Sequence, residues 1–180
     1  MDFEHIGEFY EVREAACDGL RSGRFVEGEA GSTLCRLVVL PSFENAVAWD
    51  VLSLPTRGAT ARTRLLRSCW RQDLDLHALG SPVERLRHSR PYRATVEVGS
   101  APIDTAEIEG LVLRLRTIPV PLSVARPPFG VDGTSYELEI GGASCKARIA
   151  WWAHLPEEWE VLGPVVEEMC SLFESSWRDA

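Results

Sequence analysis

The sequence predicts an α+β protein: a mostly antiparallel sheet of about six strands with helices packed largely on one face. Three observations carry this reading. Apolar residues recur at helical spacing near both ends of the chain, extended runs rich in Val, Leu and aromatics fill the centre, and several of the runs are separated by short turn signals. The chain has 180 residues, 45% of them hydrophobic. That is enough to bury a core without disulfide or metal staples, so 1–180 reads as a single domain.

In the first segment Ile6, Phe9, Val12, Ala16 and Leu20 fall near helical spacing with acids on the other side, and Gly23 can end that helix. Residues 33–40 and 46–54 read as strands, and the turn-like stretch Pro41-Ser-Phe-Glu-Asn45 between them makes a hairpin. Pro55, Thr56 and Gly58 supply a connection to a third extended run, residues 62–76. Gly80, Pro82 and Pro91 mark residues 78–93 as a long loop, and 94–98 follows as a short strand.

The sharpest local signal is Ile103-Asp104-Thr105-Ala106-Glu107-Ile108. Asp104 caps the free amides, Glu107 completes a capping box, and Ile103 can staple onto Ile108. The helix that starts there buries Ile108, Leu111, Val112, Leu115 and Ile118, and Pro119 stops it. Pro121, Pro127 and Pro128 stiffen a linker up to Gly130.

Next, Tyr136, Leu138 and Ile140 alternate with Glu137 and Glu139, and Gly141-Gly142 reads as a two-residue hairpin turn. That turn would pair Ile140 with Ala143, Leu138 with Cys145, Tyr136 with Ala147 and Glu137 with Lys146. The last helix opens at Pro156 with Glu157 and Glu158 in its first turn, and its stripe is Trp159, Leu162, Val166, Met169, Phe173 and Trp177. Pro164 interrupts the stripe and predicts a kink or a two-piece helix.

The net charge of -8 argues against general affinity for nucleic acid or anionic lipid. Residues 1–30 hold eight acids against Arg13, Arg21 and Arg24, whereas 57–93 holds nine arginines against Asp73, Asp75 and Glu84. The two segments are expected to lie side by side and neutralise each other. Lys146 is the sole lysine among 19 basic residues, a bias typical of a GC-rich bacterial genome. The N-terminus lacks the pattern of a signal peptide and no apolar run is long enough for a membrane helix, so a cytoplasmic protein is expected. Five cysteines at positions 17, 35, 69, 145 and 170, none in Cys-x-x-Cys, are expected to be buried free thiols.

Two places could carry chemistry. Residues two apart share a strand face, so Arg67, Arg71, Asp73, Asp75 and His77 would project together from the third run. Two carboxylates and an imidazole could hold a divalent metal, and the arginines a phosphate or carboxylate. The plainer reading is a solvated face in which Asp73 or Asp75 pairs with Arg67 or Arg71. Side chains two apart start roughly 6.6–7 Å from one another and converge only on a bent strand. The second place is the tryptophan pair: alternation sends Trp151 inward and Trp152 outward beside Lys146 and Arg148, a composition common at protein interfaces. His5, His77, His88 and His154 are scattered, and no P-loop, dinucleotide fingerprint, nucleophile elbow or helical zinc pair occurs. No catalytic residue, metal or cofactor is assigned.

The run Val131-Asp132-Gly133-Thr134-Ser135-Tyr136-Glu137-Leu138, with Trp151-Trp152 and Pro156-Glu-Glu-Trp159, resembles a pattern in small bacterial proteins of unassigned role. Residues 66–76, with Trp70, Arg71, Asp73 and Asp75, and the later Ser81-Pro82 are similar to the same group. Some of its members look like immunity proteins that neutralise a partner toxin. The resemblance implies a protein partner and no catalytic residues. The first expectation is therefore a non-catalytic interaction module of immunity type. The alternative is a small metal-dependent hydrolase or a ligand-binding module using Asp73, Asp75 and His77.

Overall fold

The computed structural model describes residues 3–26, 31–55, 62–81, 93–121, 124, 132–142 and 145–180. Helix α1 (Phe3–Ser22) leads into the strands β1 (Ser32–Pro41), β2 (Ala46–Leu54) and β3 (Arg62–Trp70). Helix α2 (Gln72–Gly80), strand β4 (Val96–Pro102) and helix α3 (Thr105–Thr117) follow. The chain closes with β5 (Thr134–Gly142), β6 (Cys145–Trp152), a 3-10 turn over Glu157–Leu162 and helix α4 (Gly163–Arg178). All six strands join one sheet in the order β4-β3-β2-β1-β5-β6, and each neighbouring pair is antiparallel. Fold class and strand number are those the sequence predicts. The expected connection at Thr56 and Gly58, residues 82–92 of the expected loop, and the Pro127-Pro128-Gly130 linker lie outside the described residues.

The helices divide between the two faces of the sheet instead of gathering on one. Leu37, Val51, Leu65 and Leu138 point to one side and form a core with α3, α4 and Trp159. Val38, Leu40, Ala46, Ala48 and Trp70 point to the other and pack on Val12, Ala16 and Leu20 of α1 and Leu79 of α2. The reason lies in the central strands. Residues 35–38 of β1 and 48–52 of β2 are buried without interruption, as happens when both faces of a sheet are covered.

The third run is shorter than expected. β3 ends at Trp70, and Gln72–Gly80 is a helix whose amides begin by bonding back to Arg71: Leu74 N and Asp75 N both donate to the Arg71 carbonyl at 3.1 Å. The hairpin register also differs. Tyr136 pairs with Trp151, Leu138 with Ile149 and Ile140 with Ala147, and the pairing runs on to Gly142 opposite Cys145. Gly141 and Gly142 are thus paired strand residues, and the link at 143–144 lies outside the described residues. The register is displaced from the expected one by four residues. An even displacement leaves every side chain on the face assigned to it.

At the C-terminal end Pro164 sits in the first turn of α4, where its missing amide breaks no bond, so the expected two-piece arrangement is a 3-10 turn followed by a helix. Asp104 caps α3 as expected, its Oδ1 accepting from Glu107 N at 2.8 Å, and Ile108, Leu111, Val112 and Leu115 are buried. Asp104→Ala should lower stability by about 1 kcal/mol in urea melts. An unchanged midpoint would remove the cap from the account of α3.

Candidate functional site

The row expected on the third strand is dispersed. Arg67 stays on β3 and faces the α3/α4 side. Arg71 lies between β3 and α2, and Asp73, Asp75 and His77 are carried on α2. On a helix residues two apart point in different directions, so Asp75 is fully buried while Asp73 and His77 are exposed.

Asp75 has a structural position. Its Oδ2 accepts from the buried Trp70 Nε1 at 2.6 Å and from Thr95 N at 2.9 Å, joining the end of β3, α2 and the approach to β4. Arg71 takes the partner expected for it. Its Nε and Nη2 reach the two carboxylate oxygens of Asp73 at 3.0 and 2.9 Å, and its Nη1 reaches Glu97 at 2.5 Å. The hydrogen bonds from Arg71 hold the Asp73 carboxyl down at about 2. Among the described residues no group of three His, Cys, Asp or Glu side chains is placed to hold a metal ion.

The described thiols are not poised as nucleophiles. Cys17, Cys35 and Cys69 are buried and Cys170 is half-buried, all free. Burial pushes Cys35 up to about 12 and Cys170 up to about 11, so both stay protonated at neutral pH.

The tryptophan pair behaves as its alternation requires. Trp151 is buried and stacked on Tyr136, with ring centroids 5.3 Å apart and planes 8° from parallel. Trp152 is the more exposed of the two and rests against Gly133, where a Cβ would come within 2.9 Å of the indole. The chain then turns sharply through Ala153, a non-glycine residue at φ 54°, whose amide donates to Thr134 O at 2.8 Å.

Lys146 and Arg148 share the face of Trp152. Lys146 Nζ donates to Glu139 at 2.7 Å, and Arg148 donates to Glu137. Glu137 also takes Arg21 Nε at 2.6 Å, which ties α1 to the hairpin. Lys146 and Arg148 nevertheless keep 59% and 51% of their side chains open to solvent.

Among the described residues α1 packs chiefly over β1, β2 and β3, and a groove separates it from the β5–β6 hairpin. This groove of about 540 Å³ is bounded by Tyr10, Arg13 and Glu14 on the helix and Ser135, Ala150 and Trp152 on the sheet. Tyr10 is 60% exposed. The groove's helical wall was not foreseen in the sequence, since nothing local in 10–14 tells which strands α1 will cover. β6 is also an edge strand, paired among the described residues on its β5 side.

Comparison with protein-family models, with curated proteins and with solved structures gives no match.

Asp75→Ala should lower stability by about 3 kcal/mol, because it strands the buried Trp70 indole N–H and the part-buried Thr95 amide, and Asp75→Asn should lower it less. Equal losses in chemical denaturation would mean that acceptance by Oδ2 is not what matters. For Asp73 the sign is that of a depressed acid. Its contribution is complete above the ordinary value of 3.8 and is lost as pH falls through about 2. Carboxyl NMR should place its midpoint near 2, returning toward 3.8 in Arg71→Gln.

Proposed function

We propose that this protein is a non-catalytic interaction module of immunity type, which neutralises a partner protein by binding it along β6. The observation that supports this best is that β6 is an edge strand among the described residues. β6 offers backbone groups on its outer side for strand addition, with Trp152, Arg148 and Lys146 in a row beside a groove large enough to take partner side chains. Trp and Arg are the residue types enriched among interface hot spots.

The same charges argue against self-association through this edge. An antiparallel second copy of β6 would bring Lys146 and Arg148 close to their own counterparts, the usual protection of an edge strand against its twin. The partner segment is then one with carboxylates set to meet them. No helix among the described residues is long and apolar enough to cross a membrane, and the reading requires none.

The test is co-purification and calorimetric titration with the product of the gene next to the one encoding this chain. A one-to-one complex is expected. Trp152→Ala should weaken it at least about tenfold, and Arg148→Ala by a smaller factor, with thermal midpoints little changed. Failure to form a complex, or a complex indifferent to both substitutions, would defeat the proposal.

A further inference from the structure

We infer that the pocket between α4 and strands β1–β3 binds a small organic carboxylate with an apolar body, and that Arg67 is the residue that holds it. The site lies on the opposite face of the sheet from the β6 groove and does not depend on the interaction reading.

Arg67 shares a buried, unpartnered Nε with Arg13 and is distinguished by its aromatic contacts. It is half-buried, and its guanidinium carbon lies 5.4 Å from the ring centroids of both Trp49 and Trp177. Among the described residues no carboxylate pairs with it, and its buried Nε has no hydrogen-bond acceptor. The indoles attract the charge through their π faces and the Cys69 thiol is a weak acceptor beside it, but among the described residues no carboxylate answers the guanidinium plane. A planar carboxylate matches the terminal Nη1 and Nη2 donors, taking two parallel hydrogen bonds from that end of the fork.

The surroundings are arranged for such a guest. Gly99 sits opposite Arg67 in the β3–β4 register, and a Cβ there would come within 2.5 Å of Trp177 Cη2. The absence of a side chain at Gly99 therefore lets the indole close over Arg67. Val39, Val47 and Trp49 wall a pocket of about 350 Å³, which suits a ligand with an apolar body about the size of a phenyl group. Arg178 and Glu174 stand together at the rim, 3.5 Å apart and both exposed, so their charges largely cancel there and Arg67 is left as the cation that an anion in the pocket would meet. A free phosphate would answer the charge but leave the apolar walls without a partner.

Phenylacetate, phenylacetamide and inorganic phosphate serve as probes, followed by calorimetry and by tryptophan fluorescence. Phenylacetate should bind at one equivalent, and the amide and phosphate at least about tenfold more weakly. Arg67→Met should abolish the preference for the acid while leaving the thermal midpoint unchanged or raised, since it removes a half-buried charge that has no counterion. Gly99→Ala, whose added methyl would meet the Trp177 ring, should also weaken binding by displacing that indole. Phenylacetate binding no tighter than its amide, phosphate binding equally well, or a preference for the acid that survives in Arg67→Met would each overturn the inference. A fall in the Arg67→Met midpoint with no carboxylate binding in the wild type would show that Arg67 only packs.

Discussion

The face of the sheet beneath α1 is organised around the buried pair of Arg36 and Asp50. Arg36 Nε and Nη2 both reach Asp50 Oδ1, at 2.6 and 2.5 Å, across the β1–β2 register. Its remaining Nη1 donates at 3.2 Å to the carbonyl of Arg21 in the last turn of α1. A cation is favoured there by the helix dipole as well as by that bond. One guanidinium thus joins two central strands and the end of a helix. Burial raises the Asp50 pKa, with Arg36 pulling against it. The pair is therefore a weak source of net stability, although removing one partner would cost about 3–5 kcal/mol. Its role is better described as fixing geometry.

That geometry decides where α1 stops. Gly23, immediately after the helix, adopts φ 73°, and a Cβ there would fall within 2.0 Å of Arg36 Nη2. Only a residue without a side chain lets the guanidinium lie under the turn, so the helix ends over Arg36. With its end held there, α1 packs on β1 to β3 and borders the β5–β6 hairpin across the groove. Arg21, in that same last turn, then reaches Glu137 on β5. Burial lowers the Arg21 pKa, and the Glu137 carboxylate more than offsets this, so the net shift is upward. The open groove and the Glu137 cluster at its side both follow from the position of one buried arginine.

Elements defined by local chemistry were the most legible in the sequence. The cap at Asp104, the helical restart at Pro164 and the alternation that buries Trp151 and turns Trp152 outward each depend on a few adjacent residues. Features set by distant partners were harder to read. Asp73-Leu74-Asp75-Leu76-His77 has the period of a strand, but the burial of Asp75 against Trp70 and Thr95 turns it into a helix. Asp75 lies inside while Leu74 and Leu76 are exposed, the reverse of what hydropathy alone suggests. The apolar runs at 37–40 of β1 and 46–49 of β2, on either side of the charged pair Arg36 and Asp50, did carry the information that both sheet faces are covered. They match a buried strand better than a half-exposed one. As for the candidate site, Trp152, Lys146 and Arg148 were identifiable by strand alternation, whereas the groove beside them depends on where α1 ends.

The remaining contrast is among the arginines. With 27 acids to 19 bases, carboxylates are plentiful in this chain, and several partly buried arginines have one within reach. Arg36 has Asp50, Arg21 has Glu137, and Arg71 has Asp73 and Glu97. Arg67 has two indoles instead. The nearest acid across the pocket, Glu174, is spaced four residues from Arg178 on α4 and turns to it. A structural arginine on this face could have been met by an acid at position 99, opposite it in the register, yet that position is a glycine filled by Trp177. The fold thus holds the guanidinium between two indoles and beside the Cys69 thiol while leaving its buried Nε without an acceptor, so the cation is set in place without a carboxylate of its own.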